Sequence, residues 1–298
     1  MFRNLKVMKL KFKRIALIGK EQTPHIVETL QALIEYLKPY EAELVLEVET
    51  AKLLPKEKLP KVFYADLKKH ADLLIVVGGD GSILNAAPFA SLQDIPVIGI
   101  NRGRLGFLTD ILPHKIESIA SILQGDYSLE TRFLLRVEAF SEEVSIGAGK
   151  ALNDIVLLSE TAGYMEELEV YIDDKFMCTY SADGLIISTP TGSTAHALSG
   201  GGPILHPNLQ AIVLVPMLSH NLSSRPIVID SASNIKLVVS QHNRKSAQIN
   251  CDGKKQILIP KGGYICINKT DEKLKLLHPK DYDYFETLRS KLHWEKQN

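Results

Sequence analysis

Five residues, Gly78-Gly79-Asp80-Gly81-Ser82, combine bare backbone with one carboxylate. They follow the apolar run Leu73-Leu74-Ile75-Val76-Val77 and precede a stretch of small residues that reads as a helix. Glycines let the chain turn sharply and approach a ligand closely. A helix start offers unpaired N–H groups and the positive end of a dipole, which suits phosphate. A carboxylate amid those glycines falls at the carboxyl end of a buried parallel strand, where open α/β sheets bind ligands. The chemistry indicated is phosphate handling beside a carboxylate. The lysine of the P-loop and the glycine spacing of the Rossmann fingerprint are both missing. The competing reading is a plain turn with Asp80 as a cap.

Two further groups carry polar chemistry. Asn153-Asp154 precede the strand-like run Ile155 to Leu158. Adjacent side chains on an extended chain point to opposite faces, so one can meet a ligand while the other fixes backbone. Taken alone, a turn-forming pair is the commoner reading. The second group is longer. Ser181-Ala182-Asp183-Gly184 lead into a short strand, then Ser188-Thr189-Pro190-Thr191-Gly192-Ser193-Thr194-Ala195-His196 and Ser199-Gly200-Gly201-Gly202-Pro203. Small hydroxyl residues with bare backbone suit a ribose or phosphate better than a packed core. A polar loop between strands is the alternative.

These groups must be held by a scaffold. The first 130 residues alternate strand and helix signals. Ile15 to Gly19, Glu43 to Glu49, Leu73 to Val77 and Ile95 to Ile100 read as strands. Pro24 opens a helical stripe of Ile26, Leu30, Leu33 and Leu37, and Ile116, Ile119, Ile122 and Leu123 form another, closed by Gly125. This predicts an α/β N-terminal domain with a parallel sheet. From about Phe133 short β-branched or alternating runs follow closely, which predicts an all-β, sandwich-like C-terminal domain. The expected boundaries are 1–130 and 131–277. The tail 278–298 is expected to pack back on the first domain as a short helix, with Trp294 as its anchor.

A chain of 298 residues allows about two such domains. Its formal charge of zero argues against a dedicated nucleic-acid binder. No stretch approaches the ~20 apolar residues of a membrane span. The basic arm Arg3, Lys6, Lys9, Lys11, Lys13 and Arg14 reads as a solvated leader rather than an anion contact. Cys178, Cys251 and Cys266 have no metal-like spacing and read as reduced thiols of a cytoplasmic protein.

Together these motifs resemble the NAD kinase family. The resemblance rests on GGDGS at 78–82, NRGRLGFLTD at 101–110, LND at 152–154 and SADGLIISTPTGSTAHALSGGGPILHP at 181–207, with SRPIVI at 224–229 and Asp252-Gly253. GGDGS is shared with 6-phosphofructokinases and lipid kinases, whereas the run from Asp183 to Pro207 is far more specific. The family resemblance implies transfer of the terminal phosphate of ATP, in some members polyphosphate, to the adenosine 2′-hydroxyl of NAD. It implies a divalent ion, Mg²⁺, arriving with ATP, for which no protein ligand is assigned. It also implies a homodimer or homotetramer.

By position, the resemblance makes Asp80 the catalytic carboxylate, followed by Gly81. Asn153 and Asp154 match an Asn-Glu pair that holds nucleotide, with aspartate one methylene shorter here. Asp183 matches an aspartate on the nicotinamide side, and Thr191, Thr194, Ala195 and Ser199 match the NAD pocket. His196 stands where tyrosine is usual and Ser181 where many members carry arginine. Arg104 also departs from the pattern. Phe107, His220 and Asp252 are further candidates, while the remaining histidines read as surface or satisfied residues. A lipid or sugar kinase would need its own acceptor motif, and a silent NAD-binding regulator would be expected to lose Asp80.

Overall fold

The structure is a computed structural model and describes residues 10–19, 24–102, 106–160, 166–221 and 223–294. The chain divides into two compact units, one of residues 1–131 with 274–298 and one of residues 132–273.

The first unit opens with β1 (Arg14–Gly19), α1 (Pro24–Leu37), β2 (Glu43–Glu47), α2 (Val48–Leu53) and β3 (Lys61–Val62). It continues with α3 (Leu67–His70), β4 (Leu73–Gly78), α4 (Asp80–Leu92), β5 (Val97–Asn101) and α5 (Ser118–Gln124). The strands form a parallel sheet in the order β5-β4-β1-β2-β3. Every residue of β4 is buried, as a continuous apolar run in a sheet covered on both faces requires. Helix α1 buries Ile26, Leu30, Leu33, Ile34 and Leu37 on one stripe. Helix α5 stops where Gly125 turns left-handed.

One strand is shorter than its sequence predicts. β2 ends at Glu47, not Glu49, because the Glu47 carboxylate turns back as a cap. Its Oε2 accepts the N–H groups of Glu49 and Thr50 at 2.9 and 3.0 Å and starts α2.

The second unit is built from strands. These are β6 (Ser128–Ser141), β7 (Val144–Ala151), β8 (Asp154–Ser159), β9 (Glu166–Ile172), β10 (Lys175–Ala182) and β11 (Gly184–Ser188). A single helical turn, α6 (His196–Ser199), interrupts them. Then come β12 (Ala211–Met217), β13 (Ile227–Asp230), β14 (Ile235–Val239), β15 (Ala247–Cys251), β16 (Lys255–Ile259) and β17 (Tyr264–His278). One antiparallel sheet runs β13-β12-β11-β8-β15-β16. The other runs β10-β9-β14-β17, with β6 and β7 continuing from β17. Alternate residues of both sheets, among them Leu185 and Ile187, Ile235 and Leu237, and Ala247 and Ile249, share one buried cluster. That is the core of a β-sandwich.

The tail ends in α7 (Tyr284–Leu292), which buries Tyr284, Thr287 and Leu288. Trp294 is 55% exposed, so it does not anchor the tail as expected; the three buried α7 residues do. The three cysteines are free thiols. Among the described residues no helix is long and apolar enough to cross a membrane.

Candidate functional site

In the first unit β4 delivers the chain to Gly78 and α4 begins at Asp80. Gly79 and Gly81 are exposed, and Asp80 is half-buried. The plain-cap reading of Asp80 does not hold. Its carboxylate turns away from its own helix to a segment 27–29 residues on. Oδ2 accepts the N–H of Phe107 at 2.9 Å. Oδ1 accepts the N–H of Leu108 at 3.0 Å and the hydroxyl of Thr109 at 3.2 Å. The Thr109 hydroxyl is itself oriented, because it accepts the side-chain N–H of buried Asn101 at 2.8 Å. Gly106 completes the cradle. A Cβ there would collide with Asp80 Oδ1 and with the Thr109 hydroxyl, so only glycine leaves the carboxylate its place. A carboxylate has about four acceptor positions. Donors among the described residues fill three, and the remaining one is on Oδ2.

In the second unit Asn153 and Asp154 lie at the start of β8, Asn153 half-buried and Asp154 buried. Asp252 ties this corner down. Its carboxylate accepts the N–H groups of Leu152, Asn153 and Asp154 at 2.9, 2.8 and 3.2 Å. Burial first, and then the charge of Asp252, push the Asp154 carboxyl up to about 7. Burial also raises Asp252, but its three backbone N–H donors oppose that rise. The Thr189–Ser193 turn packs on the same corner. The N–H of Thr189 reaches the Asn153 carbonyl at 2.9 Å, and the Thr189 hydroxyl donates to the Leu152 carbonyl at 2.6 Å. A Cβ at Gly192 would strike the Asn153 carbonyl, so this approach also demands glycine.

Thr191 is buried, Thr194 and Ala195 are half-buried, and His196 and Ser199 are exposed. The Ser193 hydroxyl pins their segment, donating to the Pro190 carbonyl at 2.6 Å and accepting the N–H of Leu205 at 2.9 Å. Half-buried Asp183 sits at the bend between β10 and β11, with its N–H on the Met217 carbonyl. The Ser181 carbonyl accepts the N–H of exposed His220 at 3.2 Å and the Ser219 hydroxyl at 3.3 Å. Thus one group holds Asn153, Asp154, Asp252 and Thr191, and another holds Ser181, Asp183 and His220. Phe107 is half-buried and its ring lies 6.3 Å from that of Tyr284. Arg104 and the arm residues Arg3, Lys6 and Lys9 lie outside the described residues.

Two family models match. The ATP-NAD kinase N-terminal domain covers residues 15–127 and the ATP-NAD kinase C-terminal domain covers residues 152–279. A protein named NAD kinase from Coxiella burnetii (strain Dugway 5J108-111) is 52% identical over 291 residues, 98% of this chain and 97% of the relative. This chain belongs to the NAD kinase family. A Legionella pneumophila (strain Corby) NAD kinase is 46% identical over 301 residues, covering 98% of this chain and 99% of its own. Among solved structures, an NAD kinase from Archaeoglobus fulgidus in complex with ATP is similar with a TM-score of 0.68. It is 26% identical and covers 93% of this chain and 99% of its own. Yeast NADH kinase complexed with NADH has a TM-score of 0.84 at 24% identity, covering 95% of this chain and 88% of its own, and bears on the fold alone.

The geometry of this NAD kinase family member includes residues that motif reading left out. Asn101 and Thr109 lie inside the 101–110 motif, so their polarity in an apolar segment was a usable signal. Arg132 was not singled out. It is buried at 4% exposure, and its guanidinium lies 3.4 Å from the Thr191 hydroxyl. Nothing in the local sequence marks it. His278, which the sequence presents as a surface or satisfied residue, is buried between two carboxylates.

Proposed function

We propose that this NAD kinase transfers the terminal phosphate of ATP to the 2′-hydroxyl of the adenosine ribose of NAD, giving NADP, with Asp80 as the base. The observation that carries this reading is the Asp80 carboxylate. Three donors hold it, and one acceptor position on Oδ2 is left over. The 2′-hydroxyl proton moves to that position as the bond from the ribose oxygen to the terminal phosphorus forms. The bond from that phosphorus to its bridging oxygen breaks, and the electron pair leaves on ADP. Such transfers depend on positioning and charge neutralisation more than on covalent chemistry. The exposed backbone of Gly79 and Gly81 at the start of α4 suits the phosphates.

A divalent ion such as Mg²⁺, when bound, would supply charge neutralisation on the transferred phosphate. Among the described residues no three His, Cys, Asp or Glu side chains converge as a metal site. Mg²⁺ typically keeps several waters and binds through phosphates with one or two carboxylates. The ion is proposed to arrive on the ATP phosphates, whose oxygens suit it.

In the second unit Asn153, Asp154, Thr191, Thr194, Ala195, His196 and Ser199 are proposed to line the NAD pocket. Asp183, with Ser181 and His220 beside it, is proposed to face the nicotinamide. The corner pinned by Asp252 supports this, because a fixed backbone orients Asn153 at little entropic cost. A homodimer or homotetramer is proposed on the exposed apolar side chains Phe176, Leu218, Ile227 and Val228. Three free thiols suit a reducing, cytoplasmic compartment.

The test is incubation with NAD, ATP and Mg²⁺, followed by an NADP-specific dehydrogenase. NADP should accumulate, and 2′-deoxy-NAD should bind without yielding product. Product from the deoxy analogue would move the transfer elsewhere.

A further inference from the structure

A buried charge cluster stands behind the Asp80 cradle. The His278 side chain is 2% exposed, and each of its ring nitrogens meets a carboxylate. Nδ1 lies 3.0 Å from Asp110 Oδ2 and Nε2 lies 3.3 Å from Glu130 Oε2, with those two side chains only 8% and 11% exposed. The Tyr282 ring stacks on the imidazole at 4.0 Å and 10°. A neutral imidazole carries one proton and would leave one nitrogen lone pair facing a carboxylate. Two carboxylates within 3.3 Å of the ring favour the form in which both nitrogens are protonated. The charged side chains lining the adjoining cavity of about 210 Å³ are Asp110, Lys115, Asp281, Asp283 and Glu286.

Asp110 directly follows Phe107-Leu108-Thr109, the three residues that donate to Asp80. Within that segment Asn101 holds Thr109, its side-chain N–H groups reaching the Thr109 carbonyl and hydroxyl at 3.2 and 2.8 Å. At its far end the charge on Asp110 is answered by His278. We propose that His278 is a positioning residue for Asp80: as an imidazolium clamped between Asp110 and Glu130, it holds the 107–110 segment whose donors fix the Asp80 carboxylate. The inference rests on the reading of Asp80 as the base.

Burial disfavours the imidazolium, yet the two carboxylates outweigh it and raise the His278 pKa to about 9. The clamp is therefore closed at neutral pH and opens in mild alkali. When it opens, Asp110 is left as a buried charge without its counter-ion, and the segment that holds Asp80 keeps Asn101 but loses its second anchor. A base displaced by an ångström costs turnover without changing how tightly substrates bind.

The experiment measures kcat and the two KM values from pH 6.5 to 10 on the full chain, for wild type, His278→Gln, Asp110→Asn and Asp80→Asn. His278→Gln should lose about 10- to 100-fold in kcat, with both KM values within about twofold. The fall in wild-type kcat near pH 9 should be absent from it. Asp110→Asn removes one of the two carboxylates and should move that fall to lower pH. A folded His278→Gln with wild-type kcat and a wild-type alkaline limb overturns the proposal. Should that variant not fold, an unmoved alkaline limb in Asp110→Asn overturns it instead. Near-wild-type turnover in Asp80→Asn would overturn the base reading itself. An inactive Asp80→Asn beside an unaffected His278→Gln would sink only the role of His278.

Discussion

Asp154→Asn should make the protein more stable in alkali while weakening its function. Asp154 is 5% exposed, and its folded pKa is raised from 3.8 to about 7 by burial and by the charge of Asp252. The two carboxyls titrate as a pair. Asp252 ionises first because three backbone N–H groups stabilise its charge, and Asp154 retains the proton. A raised carboxyl binds more proton folded than unfolded, so stability is fully present below pH 3.8 and is lost as pH rises to about 7. At about 1.4 kcal/mol per unit, the full loss is about 4 kcal/mol, of which about 2–3 kcal/mol falls between pH 5 and pH 8.5. Asparagine keeps the shape and removes the titration. Seating its extra N–H₂ adds a pH-independent cost of about 1–3 kcal/mol wherever it lacks a partner. The informative quantity is therefore the pH dependence. Urea unfolding at pH 5 and pH 8.5 should show the variant gaining about 2–3 kcal/mol on wild type across that interval. Its KM for NAD should rise, because an amide replaces the carboxyl that the pocket presents to the nucleotide. Equal stability differences at the two pH values would refute the assignment of a proton to Asp154.

Three other outcomes are expected. Gly106→Ala drives a methyl into the Asp80 carboxylate and should lower kcat about 100-fold with NAD affinity kept; unchanged turnover would remove the cradle from the mechanism. His196→Ala should raise the Kd for NAD, because the exposed ring is lost as a stacking surface, and an unchanged Kd would return His196 to a structural role. Ser181→Arg should lower the ratio of kcat/KM for NAD over NADH, because a guanidinium beside Asp183 offsets the field that favours the cationic ring. The wild type should prefer NAD with detectable use of NADH, because Asp183 attracts the cationic ring; an unchanged ratio in the variant would show that position 181 does not govern the choice.

Much of the scaffold was legible wherever pattern and burial agree. The run Leu73 to Val77 is buried on both faces, the stripe of α1 is periodic, and Gly125 marks the end of α5. Helix α2 escaped because Val48-Glu49-Thr50 continues a strand-like pattern, and only the inward turn of Glu47 starts the helix. Strand β10 escaped because Lys175 to Ala182 does not alternate cleanly in hydrophobicity. Its burial is just as irregular, and its register slips between Phe176 and Cys178. At the site, residue types were visible and their partners were not. Asp80 could be singled out from its glycines, but its bonds to Phe107, Leu108 and Thr109 join residues 27–29 positions apart. Asp252 lies 98–100 positions from the N–H groups it holds, and His278 lies 168 from Asp110. No local pattern encodes such pairings, which exist only once the strands have brought the segments together.

Asp80→Asn tests the central claim most directly. The amide keeps the size of the side chain and removes the charge and the proton acceptor. Turnover of NAD with ATP and Mg²⁺, measured beside the equilibrium Kd for NAD, should show kcat lower by about 10²- to 10⁴-fold and the Kd nearly unchanged. A variant that turns over near the wild-type rate would contradict the account.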